Sequence, residues 1–274
     1  MTNFNQKLLN PLTTIFTLWG YRGFIGNSVA REFQVRYQNS LLGAFWNVIN
    51  PIAMILVYTV IFANVMRAKL PGMEGDFAYS IFLCSGVLTW GLFSELINKS
   101  QTMFIDNASL LKKINFPLSS LVMIVILNAL LNFFIIFSFF LIFLIIAKSF
   151  PGWVILGVLP VLVLQTLFAV GLGLILGVLN VFFRDVGQFF SIFLQFWFWL
   201  TPMVYPFTIL PANIQSYVAL NPMTPVVMAY QAIFVMHQWP NWHSLWPAAL
   251  CTIIFCLLGF RLFKKHAGEL ADEL

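Results

Sequence analysis

Six long apolar stretches, separated by short polar segments, dominate the pattern of hydrophobic and polar positions along this 274-residue chain. Each is close to or longer than the roughly 20 residues that a helix needs to cross the hydrocarbon core of a membrane. The pattern predicts an all-α integral membrane protein with six transmembrane helices. The predicted spans are 43–66, 77–97, 118–147, 153–183, 186–207 and 245–263.

The positions of the basic residues predict the orientation of these spans, because short cytoplasmic segments collect Lys and Arg. Of the 14 Lys and Arg residues, all but Arg67, Lys69 and Lys148 fall on one side of the predicted membrane. Both termini are therefore predicted to be cytoplasmic. This divides the chain into a cytoplasmic N-terminal region at 1–42, a membrane domain at 43–263 and a cytoplasmic tail at 264–274.

Two cytoplasmic segments have the pattern of short surface helices. In the segment 29–42, polar residues separate apolar ones at every fourth position, which predicts an amphipathic helix at the membrane interface. Its Glu32 and Arg36 have the spacing of an ion pair on one helix face. The segment 98–117 is polar and basic, and Asn107 is a suitable start for a short helix that ends at Phe116 and Pro117.

The stretch 201–246 is unusual because it contains six prolines but no Lys, Arg, Asp or Glu. It contains two predicted helices, at 211–220 and at 224–236, the second with Thr224 as its N-cap and Pro225 in its first turn. Each is too short to cross a membrane. Together they predict a re-entrant hairpin that enters from the exterior between spans five and six. Its marker residues are Pro211, Asn221, Pro222, Thr224 and Pro225.

The fourth apolar stretch carries Gly173 and Gly177 four positions apart, a spacing that lets another helix approach closely. Gly171 is expected to add to the same face. The three cysteines lie inside apolar stretches, without the spacing of metal ligands or of exposed disulfide partners, and are interpreted as packing residues.

Composition and charge exclude several classes of function. The chain is 61% hydrophobic and 8% charged, unlike a soluble domain. Its basic residues form no stripe or recognition motif that would bind nucleic acid. It has no phosphate-binding loop, no metal-ligand spacing and no paired catalytic carboxylates. Carboxylates in the predicted spans are limited to Glu95 near a helix end, where Lys99 can pair with it, which argues against ion-coupled transport.

Three stretches resemble the permease subunits of the ABC-2 exporter superfamily, in particular those that move lipid-linked O-antigen, capsule or teichoic acid polymers. The first runs from Arg31 to Pro51, with the pattern Ser-x-x-Gly-x-x-Trp at 40–46. The second runs from Arg184 to Pro206, and the third covers 220–225. The likeness extends over nearly the whole chain.

This resemblance implies a homodimer that binds a separate ATPase subunit, which would hold ATP and Mg²⁺, so that no cofactor is expected in this chain. It also implies that two short cytoplasmic helices dock on that ATPase. Lys112 and Lys113 are equally consistent with a positive-inside anchor. The candidate coupling residues are Arg31, Arg36, Tyr37, Asn107, Leu111, Lys112, Lys113 and Phe116.

By the same resemblance, aromatic side chains line a conduit through the dimer, because ring faces stack on the C–H faces of sugars. The candidates for contact with the sugar are Phe196, Trp197, Phe198, Trp199 and Tyr205. An ordinary interfacial belt of aromatic residues is the alternative interpretation of these rings.

The expected function is export of an undecaprenyl-linked polysaccharide across the bacterial inner membrane into the periplasm. O-antigen is favoured over capsular polysaccharide or teichoic acid. Two alternatives of another class stay open at this point: a passive channel for a small neutral solute, and a membrane scaffold or enzyme of polysaccharide assembly.

Overall fold

The computed structural model of the chain describes residues 19–37, 46–58, 60, 77–109 and 117–273. The described residues contain α-helices and short 3-10 turns, and no strand. The α-helices are α1 (Arg22–Tyr37), α2 (Trp46–Tyr58), α3 (Ala78–Asp106), α4 (Ser119–Ile146), α5 (Val158–Phe182), α6 (Asp185–Trp199), α7 (Ala212–Leu220), α8 (Met223–Phe234), α9 (Trp246–His266) and α10 (Leu270–Glu273).

Four helical segments of the described chain are long and apolar enough to cross a membrane, which makes the protein a multi-pass membrane protein. They correspond to the predicted spans at 77–97, 118–147, 153–183 and 245–263, and two of them begin with a 3-10 turn. Their bounds are Ala78–Asp106, Ser119–Ile146, Gly152–Phe182 and Trp242–His266.

The predicted boundaries need correction at two helices. α3 continues to Asp106, well past residue 97, because side chains of neighbouring helices bind its polar last turns. The predicted span at 186–207 is helical only as far as Trp199, and its 15 residues reach about 22 Å. Pro202 follows, and a proline this close to a helix end supplies no amide donor to continue it. Of the predicted span at 43–66, the described residues include the 13-residue helix α2 and residue 60.

The centre of the molecule is formed by α3 and α5, and α5 packs most extensively against α9 and α3. The contact with α3 depends on two glycines. A Cβ atom at Gly173 would lie 2.4 Å from Ser100 Cβ, and one at Gly177 would lie 2.5 Å from the Ser100 carbonyl oxygen. The predicted close approach is confirmed at these two positions.

The prediction that Gly171 lies on the same face is wrong. A Cβ atom at Gly171 would lie 2.7 Å from the backbone nitrogen of Cys256, so this glycine faces α9. Two residues along an α-helix correspond to a rotation of about 200°, which places Gly171 and Gly173 on different sides. α5 therefore uses separate glycines for its two close neighbours.

The predicted N-terminal helix begins earlier than expected, at Arg22, and is described as far as Tyr37. Ile25 and Val29 lie one turn apart and are buried, whereas Arg31 and Glu32 are exposed. α1 packs against α4. The remainder of the predicted 29–42 helix lies outside the described residues.

Residues 201–206, which follow α6, pack against α3 with irregular backbone and are buried or half-buried. Met203 is fully buried and lies against Gly86, where a Cβ atom would be 3.2 Å from the Met203 backbone. Tyr79 Oη donates a hydrogen bond to the Val204 carbonyl at 2.7 Å, and Gln231 Nε2 donates to the Pro202 carbonyl at 3.1 Å. These bonds satisfy carbonyl groups that lipid could not.

Both short helices of the predicted hairpin are present, and α8 is almost entirely buried. Its side chains at 0% exposure are those of Met223, Val226, Val227, Tyr230, Ile233 and Phe234. α8 begins at Met223 rather than after a Thr224 cap. The Thr224 hydroxyl instead donates to the Val218 carbonyl at 2.8 Å, and Asn221 Oδ1 accepts a bond from the Met223 amide at 3.0 Å. The asparagine side chain therefore takes the capping role that the prediction gave to threonine.

Candidate functional site

One side of α6 is apolar and exposed along its whole length. Five positions at helical spacing form this surface, which we call the α6 face: Phe189, Ile192, Phe193, Phe196 and Trp199, at 70%, 54%, 39%, 66% and 64% exposure. The opposite side of the helix packs on α3 and α5. Within the described chain, the α6 face is an exposed row of four aromatic rings and one isoleucine, on a helix whose other side packs against the protein.

Four of the five predicted sugar-contacting aromatics lie on α6 and divide into two groups, and the fifth, Tyr205, lies beyond the end of the helix. Phe196 and Trp199 belong to the α6 face. Trp197 and Phe198 point toward the protein interior, where the Trp197 ring lies 5.3 Å from Phe93 and the Phe198 ring 5.9 Å from Trp90. Tyr205 Oη donates to the Trp199 carbonyl at 3.0 Å, at the end of α6.

Asn221 connects the end of α6 to the hairpin through four hydrogen bonds. Its Oδ1 accepts from Trp197 Nε1 at 2.8 Å and from the Met223 amide at 3.0 Å. Its Nδ2 donates to Thr201 Oγ1 at 2.9 Å and to the Leu200 carbonyl at 3.4 Å. The α7–α8 turn therefore lies beside Trp197, level with the middle of α3. Among the other hairpin markers, Pro211 precedes α7, Pro222 precedes α8, and Pro225 is buried in the first turn of α8.

The predicted coupling residues are only partly described. Asn107 follows the last residue of α3, and its Nδ2 donates to the Met103 carbonyl at 2.8 Å. Arg31 is exposed on α1. Arg36 and Tyr37 lie in the last turn of α1, and their side chains are outside the description. Leu111, Lys112, Lys113 and Phe116 lie outside the described residues.

A polar network joins α1 to α3 and α4. Lys99 Nζ lies 3.1 Å from Glu32 Oε1 and 3.3 Å from Glu95 Oε1, which confirms the predicted pairing of Glu95 with Lys99. Asn128 donates to Glu32, and Asn132 Nδ2 donates to Glu95 Oε2 at 2.6 Å. Glu95 and Asn132 line a cavity of about 150 Å³ between α2, α3 and α4. One lysine thus neutralises two carboxylates from different helices.

Replacing Lys99 with methionine is expected to destabilise the chain by about 2 kcal/mol, between the values for exposed and buried pairs. Glu32 and Glu95 would both lose their cation. The Glu95 side chain is only 17% exposed, so water would replace that cation poorly. Unfolding of the purified protein in a denaturing detergent series measures this change. Lys264→Met, at an exposed lysine of α9, is the control. An equal loss of stability in Lys99→Met and Lys264→Met would contradict a stabilising role for this network.

A second set of amides connects α3, α5 and α6 where α5 turns into α6. Asn180 Nδ2 donates to the Gln101 carbonyl at 2.8 Å, and Asn180 Oδ1 accepts from the Gly187 amide at 2.9 Å. Gln101 Nε2 donates to Ser191 Oγ at 2.9 Å. We call these four residues the amide junction. Asn180 and Gln101 are each 4% exposed.

Neither polar network was predicted beyond the single pair of Glu95 with Lys99. A signal was present, because isolated amides occur in stretches that are otherwise apolar, and a buried amide in a membrane helix needs partners. The buried examples in such stretches are Asn128, Gln165, Asn180 and Gln231, whereas Gln101 lies in a polar segment and gives no such signal.

Metal chemistry finds no support in the part of the chain that the structure describes. No three His, Cys, Asp or Glu side chains within it come together to hold a metal ion. The three cysteines are free thiols in α3 and α9. The described site therefore consists of an exposed aromatic face and of amide networks that fix the helices behind it.

Comparison with known proteins finds transport proteins that are similar to this chain over most of its length. The chain is 32% identical to the O-antigen export system permease protein RfbA of Myxococcus xanthus, over 94% of this chain and 97% of that protein. A protein of the same name from Klebsiella pneumoniae is 29% identical over 89% and 92%. The polysialic acid transport protein KpsM of Escherichia coli is 24% identical over 86% and 90%. The profile described as ABC-2 type transporter matches residues 25–235, and the chain belongs to this family.

Proposed function

We propose that this chain is the membrane subunit of an ATP-driven exporter that moves lipid-linked O-antigen polysaccharide from the cytoplasm to the periplasm. The observation that carries the proposal is the near full-length similarity to two proteins named as O-antigen export permeases. The more distant KpsM similarity supports export of a capsular polysaccharide as the second candidate.

The proposal includes six membrane spans, with both termini in the cytoplasm of a bacterial inner membrane. Four are the long helical segments. The other two are a first span that contains α2 and a fifth that combines α6 with the buried irregular segment up to residue 206. The short helix α6 supports this arrangement because the backbone that follows it is bonded to protein rather than exposed.

The proposal also places α7 and α8 as a hairpin that enters and leaves the membrane on the exterior side. Two contacts support this placement. The hairpin turn binds Trp197 beside the middle of α3, whereas the Phe234 ring at the other end of α8 lies 5.1 Å from Phe140, near the last turns of α4. A helix that extends from mid-depth to one surface, and is enclosed by protein, is allowed within a bilayer.

The polymer path is proposed to lie along the α6 face of two copies of the chain. An exposed row of rings on an anchored helix suits this role, because each ring offers an apolar surface to the C–H faces of sugars without requiring one order of hydroxyl groups. Phe196 and Trp199 would contact the polymer. Trp197, Phe198 and Tyr205 would hold the helix in place from behind.

Replacing Phe196 and Trp199 together with alanine is expected to lower export about tenfold, since two interface aromatics usually contribute at least that factor. Both side chains are exposed, so membrane levels are expected to be unchanged. Each variant is expressed in a strain from which the gene for this chain has been deleted. The amount of polysaccharide that reaches the cell surface measures export. The matched control is the double variant Trp153→Ala with Phe260→Ala. It removes two exposed rings, one from the 3-10 turn before α5 and one from α9. Equal export by both variants would contradict a polymer path on the α6 face.

The ATPase is proposed to dock on α1 and on the segment around Asn107 to Phe116, so that Arg36 and Lys113 approach it. Co-purification of the chain with a candidate ABC ATPase, sought among the neighbouring reading frames, tests the proposed function. A stable complex whose ATP hydrolysis responds to lipid-linked polysaccharide is the expected result. Recovery of the chain without any ATPase, under conditions that retain its fold, would overturn the exporter assignment in favour of a channel or scaffold.

A further inference from the structure

The amide junction is the feature of the described chain that links the candidate coupling segment to the α6 face. Gln101 lies less than two turns before the end of α3, where the segment containing Asn107 begins. Gly187 and Ser191 lie in the first half of α6 and precede Phe193 and Phe196 along the helix. Asn180, near the end of α5, binds Gln101 with one side of its amide group and Gly187 with the other.

We propose that Asn180 is a positioning residue that fixes α6 to the cytoplasmic end of α3, so that a displacement of the coupling segment moves the α6 face with it. This role rests on the proposed export function. The junction itself is a property of the chain alone and can be tested separately.

The local geometry indicates a specific set of hydrogen bonds among α3, α5 and α6 rather than general packing. A Cβ atom at residue 187 would lie 2.8 Å from Asn180 Oδ1, so glycine is what allows α6 to approach the amide. Both the donor and the acceptor of the Asn180 side chain are used at 4% exposure. Ser191 Oγ, which accepts the bond from Gln101, donates in turn to the Gly187 carbonyl at 2.9 Å. The four bonds form a closed cycle around two amides that are almost fully buried, and breaking one of them would leave a buried polar group without that partner.

The surrounding packing determines which motions the junction can transmit. α3 and α5 are in backbone contact at Ser100, through Gly173 and Gly177, and cannot slide past each other without a clash. α6 has little such contact, because only Gly187 and Leu194 of its 15 residues are buried. The bonds at Gly187 and Ser191 therefore decide whether the first half of α6 follows α3.

Gln165 provides a matched control for Asn180. It is also a buried amide of α5 that binds a backbone carbonyl of α3, with Nε2 donating to Thr89 at 2.7 Å. It has no bond to α6. A general loss of α3–α5 packing would follow from either alanine variant, whereas release of α6 is expected only from Asn180→Ala.

The first measurement uses the full chain alone, with its three native cysteines replaced and spin labels at Asp106→Cys and Phe189→Cys, diluted with unlabelled protein. We expect one narrow distance distribution in the parent and in Gln165→Ala, and a broad one in Asn180→Ala. Asn180→Asp, which keeps the acceptor for Gly187 and loses the donor to Gln101, is expected to lie between them and replaces Asn180→Ala if that variant does not insert. A parent-like width in the Asn180 variants, or equal broadening by Gln165→Ala, would overturn the proposal.

The second measurement uses the complex with the ATPase and compares polymer exported per ATP hydrolysed. Asn180→Ala is expected to lower this ratio about fivefold, with hydrolysis itself little changed, and Gln165→Ala to leave the ratio near that of the wild type. An unchanged ratio in Asn180→Ala would overturn the positioning role. A wild-type complex that exports no polymer would refute the proposed function instead, and the spin-label distances would still decide whether the junction holds α6.

Discussion

Replacing Gly177 with alanine is expected to destabilise the folded chain by roughly 3 kcal/mol, at the upper end of the usual cost of overpacking. The added Cβ atom would lie 2.5 Å from the carbonyl oxygen of Ser100, and a backbone atom cannot rotate away as a side chain can. α3 and α5 would have to separate along their central contact. Unfolding in a denaturing detergent series, followed by tryptophan fluorescence, measures the change.

Gly91→Ala is the control for this prediction, because nothing lies within 4 Å of a Cβ atom at that position of α3. There the alanine is expected to be neutral or to stabilise the helix by up to about 1 kcal/mol, through its better helix propensity. Similar losses of stability at Gly91 and Gly177 would show that the contact with Ser100 is not what demands glycine.

A second-site change sharpens the same test. At Gly173 the clash is with the Cβ and Oγ atoms of Ser100, at 2.4 and 2.7 Å, whereas at Gly177 it is mainly with the backbone of Ser100. Ser100→Gly is therefore expected to recover much of the stability lost by Gly173→Ala and little of that lost by Gly177→Ala.

Replacing Asn221 with leucine is expected to cost about 2–4 kcal/mol, because four hydrogen bonds are lost and the Trp197 indole N–H is left without its acceptor. Both the end of α6 and the start of α8 lose their attachment. Stability in detergent is expected to fall, and the emission of Trp197 is expected to change with the polarity of its surroundings.

The control for this variant is Asn213→Leu, which makes the same change at an exposed position of α7. Its stability is expected to stay within about 0.5 kcal/mol of the wild type, as for most surface substitutions. If Asn213→Leu lost as much stability as Asn221→Leu, the hairpin would be sensitive to composition rather than to the bonds of Asn221.

The long helices could be predicted from the sequence because length and apolar content are local properties. The four segments that are confirmed each hold an uninterrupted apolar run, and the hairpin helices between prolines were placed to within a few residues. The true end of α3 was not predictable in this way, since Gln101 and its neighbours look like loop residues until Ser191 and Asn180 are beside them.

Side-chain roles were harder to predict, because they depend on which helix lies opposite. Gly171 and Gly173 are close in sequence but face different helices. Thr224 has the residue type of a helix cap, yet the neighbouring Asn221 fills that role. The aromatic run at 196–199 looked uniform, although consecutive residues of a helix point about 100° apart and only Phe196 and Trp199 reach the exposed side.

The described structure combines firm attachment with an exposed face. α6 is held at its first half by the amide junction and at its end by Asn221, both through buried or half-buried amide groups. The row of rings between these two points is left uncovered by the rest of the chain. This arrangement suits a helix that must keep its shape while an extended ligand passes along it.

The most direct test of the central claim is transport by purified components. The chain and its ATPase would be reconstituted in vesicles with lipid-linked O-antigen, and the polysaccharide that becomes accessible on the far side would be measured with and without ATP. The account predicts translocation that requires both ATP and the ATPase and that falls in the variant lacking Phe196 and Trp199. Movement of small solutes without ATP, together with no movement of polysaccharide when ATP is being hydrolysed, would contradict it.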